Sequence, residues 1–322
     1  MKKINLLVVI VSNILIFIIW FNFNLLINRK NKLNSRINTI TNDYNFINPL
    51  LDCDFNYNFI STKKLEKTIK EYLIKNNILN DFSIFFRILK NGSFFWINEN
   101  NSFISASLTK IPIAIAYFKL SEEKWYEDLL EREVFIENIF NQSSRNIWQD
   151  TIQVWETYTI LKLIEEMLIN SDNTSASILF EYMPEYINTI YKDLWIKEID
   201  LNSEEFILNS SKENSMFFRI LYNSSYLKKE NSEKLLQILS KSSFSLWIRA
   251  DIPKTIKISN KFWEKWFFDS SEKQLHDCWI IYLPENPYVL CIMTTWYNFN
   301  ELSKHIKYIS NTIYDFMKNI KN

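Results

Sequence analysis

Two short segments of this chain set nucleophilic, basic and amide side chains at spacings suited to acyl transfer. The first is Ser107-Leu108-Thr109-Lys110, opening the run SASLTKIPIAIAYFKL. A hydroxyl and an amine three residues apart on a helix share one face. The helix N-terminus also favours the negative charge that develops at a reacting serine. Lysine, with an ordinary pKa of about 10.4, can take the serine's proton only when desolvated or held by neighbours. The second segment is Ser171-Asp172-Asn173, in EEMLINSDNTSASILFEY. Asn173 could present an amide to a substrate, and Ser171 a hydroxyl for proton relay. Each segment alone also reads as a helix cap, since Ser, Asp and Asn are favoured there. A Ser-His-Asp triad would have to use His276 or His305, the only histidines, and neither lies in a nucleophile motif.

The elements that must position these groups follow from periodicity. Leu65, Ile69, Tyr72 and Leu73 stand at helical spacing after Ser61/Thr62, and Ser83–Ile97 reads as two strands around Asn91-Gly92, a hairpin signal. The run 107–124 is helical, and from about 125 to 245 the chain is mainly helical. Strand character returns at Thr255–Lys261, Asp277–Leu283 and Tyr288–Thr295, the last two joined by PENP. A final helix carries Leu302, Ile306, Ile309, Ile313, Phe316 and Ile320 at steps of three and four. This order predicts an α+β fold: one antiparallel five-stranded sheet made from both ends of the chain, flanked by the terminal helices, with an all-helical lobe over about 107–245. A substrate site is expected in the cleft between them.

Ahead of that domain, Ile4–Ile27 is a 24-residue uncharged run whose polar members are asparagines and one serine. At 1.5 Å per residue it would reach about 36 Å, enough to cross a bilayer. It is too long for a cleaved signal peptide and reads as an uncleaved signal-anchor. The expected organisation is a transmembrane anchor at 1–28, a polar stalk at 29–58 and the catalytic domain at 59–322. Lys+Arg and Asp+Glu number 37 each. Setting aside Lys2, Lys3, Arg29, Lys30 and Lys32 leaves 32 basic against 37 acidic groups, a net charge of −5 that gives no nucleic-acid surface. Cys53, Cys278 and Cys291 have no metal-ligand spacing, and the last two, in apolar strand-like runs, read as buried small hydrophobes.

One number stands apart: a single glycine, Gly92, against 11 tryptophans. A chain of this length ordinarily carries roughly 23 glycines. Either the protein avoids glycine, or its source reads UGA as glycine and the conceptual translation wrote tryptophan.

The Ser-x-x-Lys and Ser-Asp-Asn segments in this order, with the proline that follows Lys110, resemble class A β-lactamases and penicillin-interacting serine enzymes from about Leu50 to the C-terminus. The resemblance implies that Ser107 is the acylated nucleophile and Lys110 its partner, with Ser171 and Asn173 lining the opposite wall of the cleft. Lys261-Phe262-Trp263 stands where the family has Lys-Thr-Gly on the strand edging the cleft, so Lys261 would attract a substrate carboxylate. By the same match, the backbone N–H groups of Ser107 and Glu264 are the oxyanion donors. Trp155, Trp247, Trp279 and Trp296 also occupy glycine-like places, which favours the recoding explanation. Glu198-Ile-Asp-Leu-Asn202 has the spacing of the family's deacylating Glu-x-x-x-Asn, without the surrounding loop motif. The implied substrate is a β-lactam or a cell-wall peptide, with no cofactor, metal or obligate protein partner, and the catalytic domain outside the membrane. A D-alanyl carboxypeptidase or transpeptidase-like amidase, and a non-catalytic cell-wall or surface-binding module, are the competing readings.

Overall fold

The computed structural model describes residues 16, 18–24, 27, 44–49, 59–137, 152–199, 208–242, 247–249, 251–266, 273–296 and 298–320. The chain divides into two units, Met1–Asn45 and Phe46–Asn322. In the first, residues 18–24 are helical, and the Asn22 and Asn24 amides donate to the carbonyls of Ile18 and Trp20. Most of the apolar run at 4–27 and much of the 29–58 stretch lie outside the described residues. Among those described, no helix is long and apolar enough to cross a membrane.

The second unit contains strands β1 (Phe82–Ile88), β2 (Phe94–Ile97), β3 (Phe103–Ile104), β4 (Glu133–Phe135), β5 (Thr157–Thr159), β6 (Leu208–Asn209), β7 (Ile258–Trp266), β8 (Lys273–Ile281) and β9 (Tyr288–Trp296). Five of them form the expected antiparallel sheet, in the order β2-β1-β9-β8-β7. The pairs β3-β6 and β4-β5 are separate two-stranded ladders. The β1-β2 turn depends on Gly92 at φ +76°, where a Cβ would meet the Arg87 guanidinium at 3.0 Å. Cys278 and Cys291 face one another across β8 and β9, both fully buried, and are joined as a disulfide rather than standing as separate thiols.

The helices are α1 (Lys63–Lys75), α2 (Lys110–Leu120), α3 (Ile160–Ile169), α4 (Asn173–Tyr182), α5 (Pro184–Asp193), α6 (Ser211–Tyr222), α7 (Lys229–Ser240) and α8 (Phe299–Lys318). The terminal pair, α1 and α8, cover one face of the sheet. Leu65, Ile69 and Leu73 of α1, and Leu302, Ile306, Ile309, Ile313 and Met317 of α8, enter a shared core with Ile84, Leu290 and Trp279 of the strands. Burying each such side chain contributes about 1.5–3 kcal/mol. Helix α2 is different: every residue but Lys119 is buried. A helix apolar all round has to sit inside the molecule, which carries its N-terminal lysine inward too.

Phe46–Asn48 lies within the stretch read as stalk, yet it is docked. The Phe46 and Ile47 N–H groups donate to the Glu233 carboxylate, the Asn48 N–H donates to the Tyr222 carbonyl, and the Phe46 ring meets Tyr282 edge-on at 5.3 Å. The folded domain therefore begins earlier than residue 59.

Three tryptophans adopt left-handed backbone: Trp125 (φ 79°), Trp155 (φ 66°) and Trp195 (φ 58°). A bulky side chain there costs roughly 1–2 kcal/mol. Trp195 ends α5 in a two-bond closure, its own N–H on the Lys192 carbonyl and the Ile196 N–H on that of Tyr191. That is the Schellman arrangement, whose left-handed position ordinarily holds glycine, and this indole is 95% exposed.

Candidate active site

Ser107 sits in a 3₁₀ turn, Ala106–Thr109, that runs directly into α2 at Lys110. In such a turn side chains at i and i+3 eclipse, so the hydroxyl and the amine leave the backbone on one side. Both are buried, Ser107 at 8% exposure and Lys110 at 4%.

The opposing groups come from the α3–α4 junction. Helix α3 stops at Asn170, and Ser171 takes φ +56°, a left-handed conformation that turns the chain sharply. Asp172 then caps α4, accepting the Ser175 N–H at 2.6 Å. So the middle residue of Ser-Asp-Asn does the structural work, which frees its neighbours. Lys110 Nζ donates to the Ser171 carbonyl at 2.5 Å and to Asn173 Oδ1 at 2.7 Å, and lies 3.3 Å from Ser171 Oγ. Ser171 Oγ in turn lies 3.2 Å from Ser107 Oγ. Among the described residues no hydrogen bond joins Lys110 to Ser107 directly, so the contact path runs through Ser171. Burial pulls the Lys110 pKa down to about 7, with the nearby Asp172 carboxylate opposing the shift. At neutral pH this lysine is therefore divided between proton donor and proton acceptor.

Lys261 comes from β7, the end strand of the sheet, which packs against the Ser107 turn. Its Nζ is buried and has no hydrogen-bond partner among the described residues. Burial and then repulsion by Lys110 hold its pKa well below the ordinary lysine range, with Asp277 opposing. A buried cation left unpartnered beside the nucleophile is a seat for an anion.

The neighbouring motif residues separate by strand alternation. Phe262 points the other way, into the core, with its ring edge-on to Trp247 at 6.1 Å. It is a packing residue, a correction to its expected place among substrate contacts. Trp263 shares the face of Lys261 and stacks on His276, ring centroids 4.9 Å apart. Its indole takes up space on the site side of the strand. Glu264 follows on β7 opposite Leu275. Glu198 is not brought into the network: it is exposed, beyond α5, and makes no hydrogen bond among the described residues. Asn202 lies outside them.

His276 was passed over because no motif contains it. It is fully buried on β8, accepts the Thr294 N–H on Nδ1 at 3.2 Å, and has Nε2 3.1 Å from the Ile104 carbonyl. The only hint in the sequence is a polar pair, His276-Asp277, inside an otherwise apolar strand.

A serine and a lysine bridged by a second serine, with an amide and a free buried cation beside them, on a sheet-and-helix fold of this order, define a serine hydrolase of the acyl-transfer type. Residues 64–317 match the β-lactamase enzyme family, and the chain belongs to that family. It is a serine β-lactamase-like hydrolase. Among solved structures it is similar to the TLA-3 extended-spectrum β-lactamase (TM-score 0.70, 15% identity, covering 80% of this chain and 99% of that one). A class A β-lactamase of Bacteroides cellulosilyticus DSM 14838 is similar to the same degree (TM-score 0.70, 16% identity, 82% and 100% covered). So is a mutant of PBP-A solved as its acyl-enzyme complex with penicillin-G (TM-score 0.66, 18% identity, 80% and 97% covered). No curated protein sequence matches this chain.

Proposed function

We propose that Ser107 attacks the carbonyl of a β-lactam and holds the opened ring as an ester, and that the native chain carries glycine at several positions written as tryptophan. The observation that carries the first part is the Ser107–Ser171–Lys110 path, with Lys110 shifted to about pKa 7. The Ser107 proton passes by way of Ser171 to neutral Lys110, and Ser171 returns a proton to the departing ring nitrogen. Lys261 supplies the counter-charge for the substrate carboxylate. The N–H groups of Ser107 and Glu264 receive the oxyanion.

Recoding is supported most directly by Trp125, Trp155 and Trp195, whose left-handed backbones suit glycine. At Trp263 the motif and the crowded strand face argue for it. Trp247 and Trp279 are packed in the core at ordinary φ, and the Trp279 indole donates to Asp277. At these two and at Trp296 the case rests on resemblance alone. With glycine at 263 the site side of β7 would be cleared for substrate.

The exposed, unbonded Glu198 favours a second reading of turnover. With no general base joined to Ser107, the ester would be long-lived and the enzyme closer to a penicillin-binding amidase than to a resistance enzyme. We further propose that the apolar run at 4–27 anchors the protein in a membrane with the domain outside, on the strength of its length and lack of charge.

The acylation test uses protein with glycine at 125, 155, 195 and 263, incubated with penicillin G. Intact mass should show one adduct per chain, on the peptide carrying Ser107, and none in Ser107→Ala. An adduct elsewhere, or retained in that variant, sinks the assignment. An adduct lasting hours, equally in Glu198→Ala, supports the penicillin-binding reading; a short-lived adduct that Glu198→Ala prolongs supports Glu198 as deacylating base.

A further inference from the structure

The nucleophile's turn does not hang on the main sheet by backbone pairing. Ser107 follows Ser105 and Ile104, and β3 pairs only with the two-residue β6, outside the five-stranded sheet. A side chain bridges the gap. His276, on β8 two strands' width from either end of that sheet's long edge pairings, reaches across with Nε2 to the Ile104 carbonyl at 3.1 Å. Its other nitrogen is fixed by β9, where the Thr294 N–H donates to Nδ1 at 3.2 Å.

These two bonds determine the tautomer. A backbone N–H pointing at Nδ1 requires a lone pair there, so the proton is on Nε2, which then donates to Ile104. Burial holds the ring neutral, its pKa lowered to about 4. The rings of Phe103 (centroid 5.7 Å away, edge-on) and Trp263 (4.9 Å) pack on the imidazole and limit its rotation. Resting on the acyl-serine reading above, we infer that His276 is a positioning residue: it latches the strand before the nucleophile to the sheet and so fixes Ser107 Oγ against Ser171. It touches no reacting atom. The bond that matters is the one to Ile104, three residues before Ser107. The one from Thr294 only orients the ring.

Two variants divide those bonds, in the full chain carrying glycine at 125, 155, 195 and 263. His276→Gln places an amide donor near the Nε2 position and keeps the bond to Ile104. His276→Asn places an oxygen near the Nδ1 position and keeps the bond from Thr294. The measurement is the limiting rate of penicillin G adduct formation and its half-saturating concentration. His276→Asn should be at least tenfold slower than the parent with half-saturation moved less than threefold, and His276→Gln should stay within threefold in rate. A purely structural role would lower the melting temperature of both without separating their rates, and equal rates overturn the proposal. Absence of any adduct in the parent instead overturns the acyl-serine reading itself. Nitrogen NMR of the parent decides the hydrogen bonding without any variant: an Nε2–H tautomer at pH 7 is expected, and an Nδ1–H tautomer or an imidazolium refutes the latch.

Discussion

Lys110 is held by three acceptors that would suit an ammonium, yet burial brings its pKa down to about 7. The sign of the resulting pH dependence follows from its role. Acylation needs the neutral amine, which is scarce below the pKa and predominates above it. The rate of adduct formation should therefore rise between pH 5.5 and 8.5 with a midpoint near 7. Lys110→Arg, whose guanidinium stays charged at every such pH, should lose that rise and run about 100-fold or more slower at pH 8, the range expected for removing a general base. Stopped-flow or quenched mass analysis across the pH series checks both. At this scale much of the site was legible, because Ser107, Lys110, Ser171 and Asn173 belong to motifs with fixed spacing. Phe262 was misplaced because a motif match names a position and not the side of the strand it faces. His276 was passed over because its partners are the backbone of Ile104 and Thr294, which no side-chain pattern records.

At the scale of elements, the helices and strands followed from where apolar residues recur, and α8 is the plainest case, with Leu302, Ile306, Ile309, Ile313 and Met317 on its buried face. Their ends were less legible. The sequence singled out Trp155, Trp263, Trp279 and Trp296 by resemblance, while Trp125 and Trp195 became conspicuous only once their backbone angles were known. The closure of α5 turns this into a measurement. Peptides of the native protein should carry glycine at 125, 155, 195 and 263, with UGA codons in the gene. In protein made with tryptophan throughout, Trp195→Gly should stabilise by about 1 kcal/mol, the relief of a left-handed bulky residue. For a domain of this size that is a rise of roughly 2–4 °C in Tm. Native peptides bearing tryptophan at 195, together with no gain in Tm, would refute recoding there.

At the scale of the whole molecule, the anchor proposal predicts that full-length protein stays in the membrane fraction through high-salt and carbonate washes. A chain starting at Phe46, where docking onto the domain begins, should be soluble. Salt screens charges and leaves apolar burial untouched, so release of the full-length protein by salt alone would count against a spanning segment. The sheet has a consequence of another kind, in time rather than space. Phe82 pairs with Thr294 and Ile88 with Tyr288, so β1 meets its inner neighbour only when the last tenth of the chain has been made. At roughly 5–20 residues per second, the phenylalanine-rich β1 waits on the order of 10–40 s after its own synthesis with one edge unpaired. An unpaired apolar strand edge is a template for association between chains. Substitutions that weaken β9 or α8 would then appear first as poor yield during synthesis, while the molecules that do complete the sheet remain fully active.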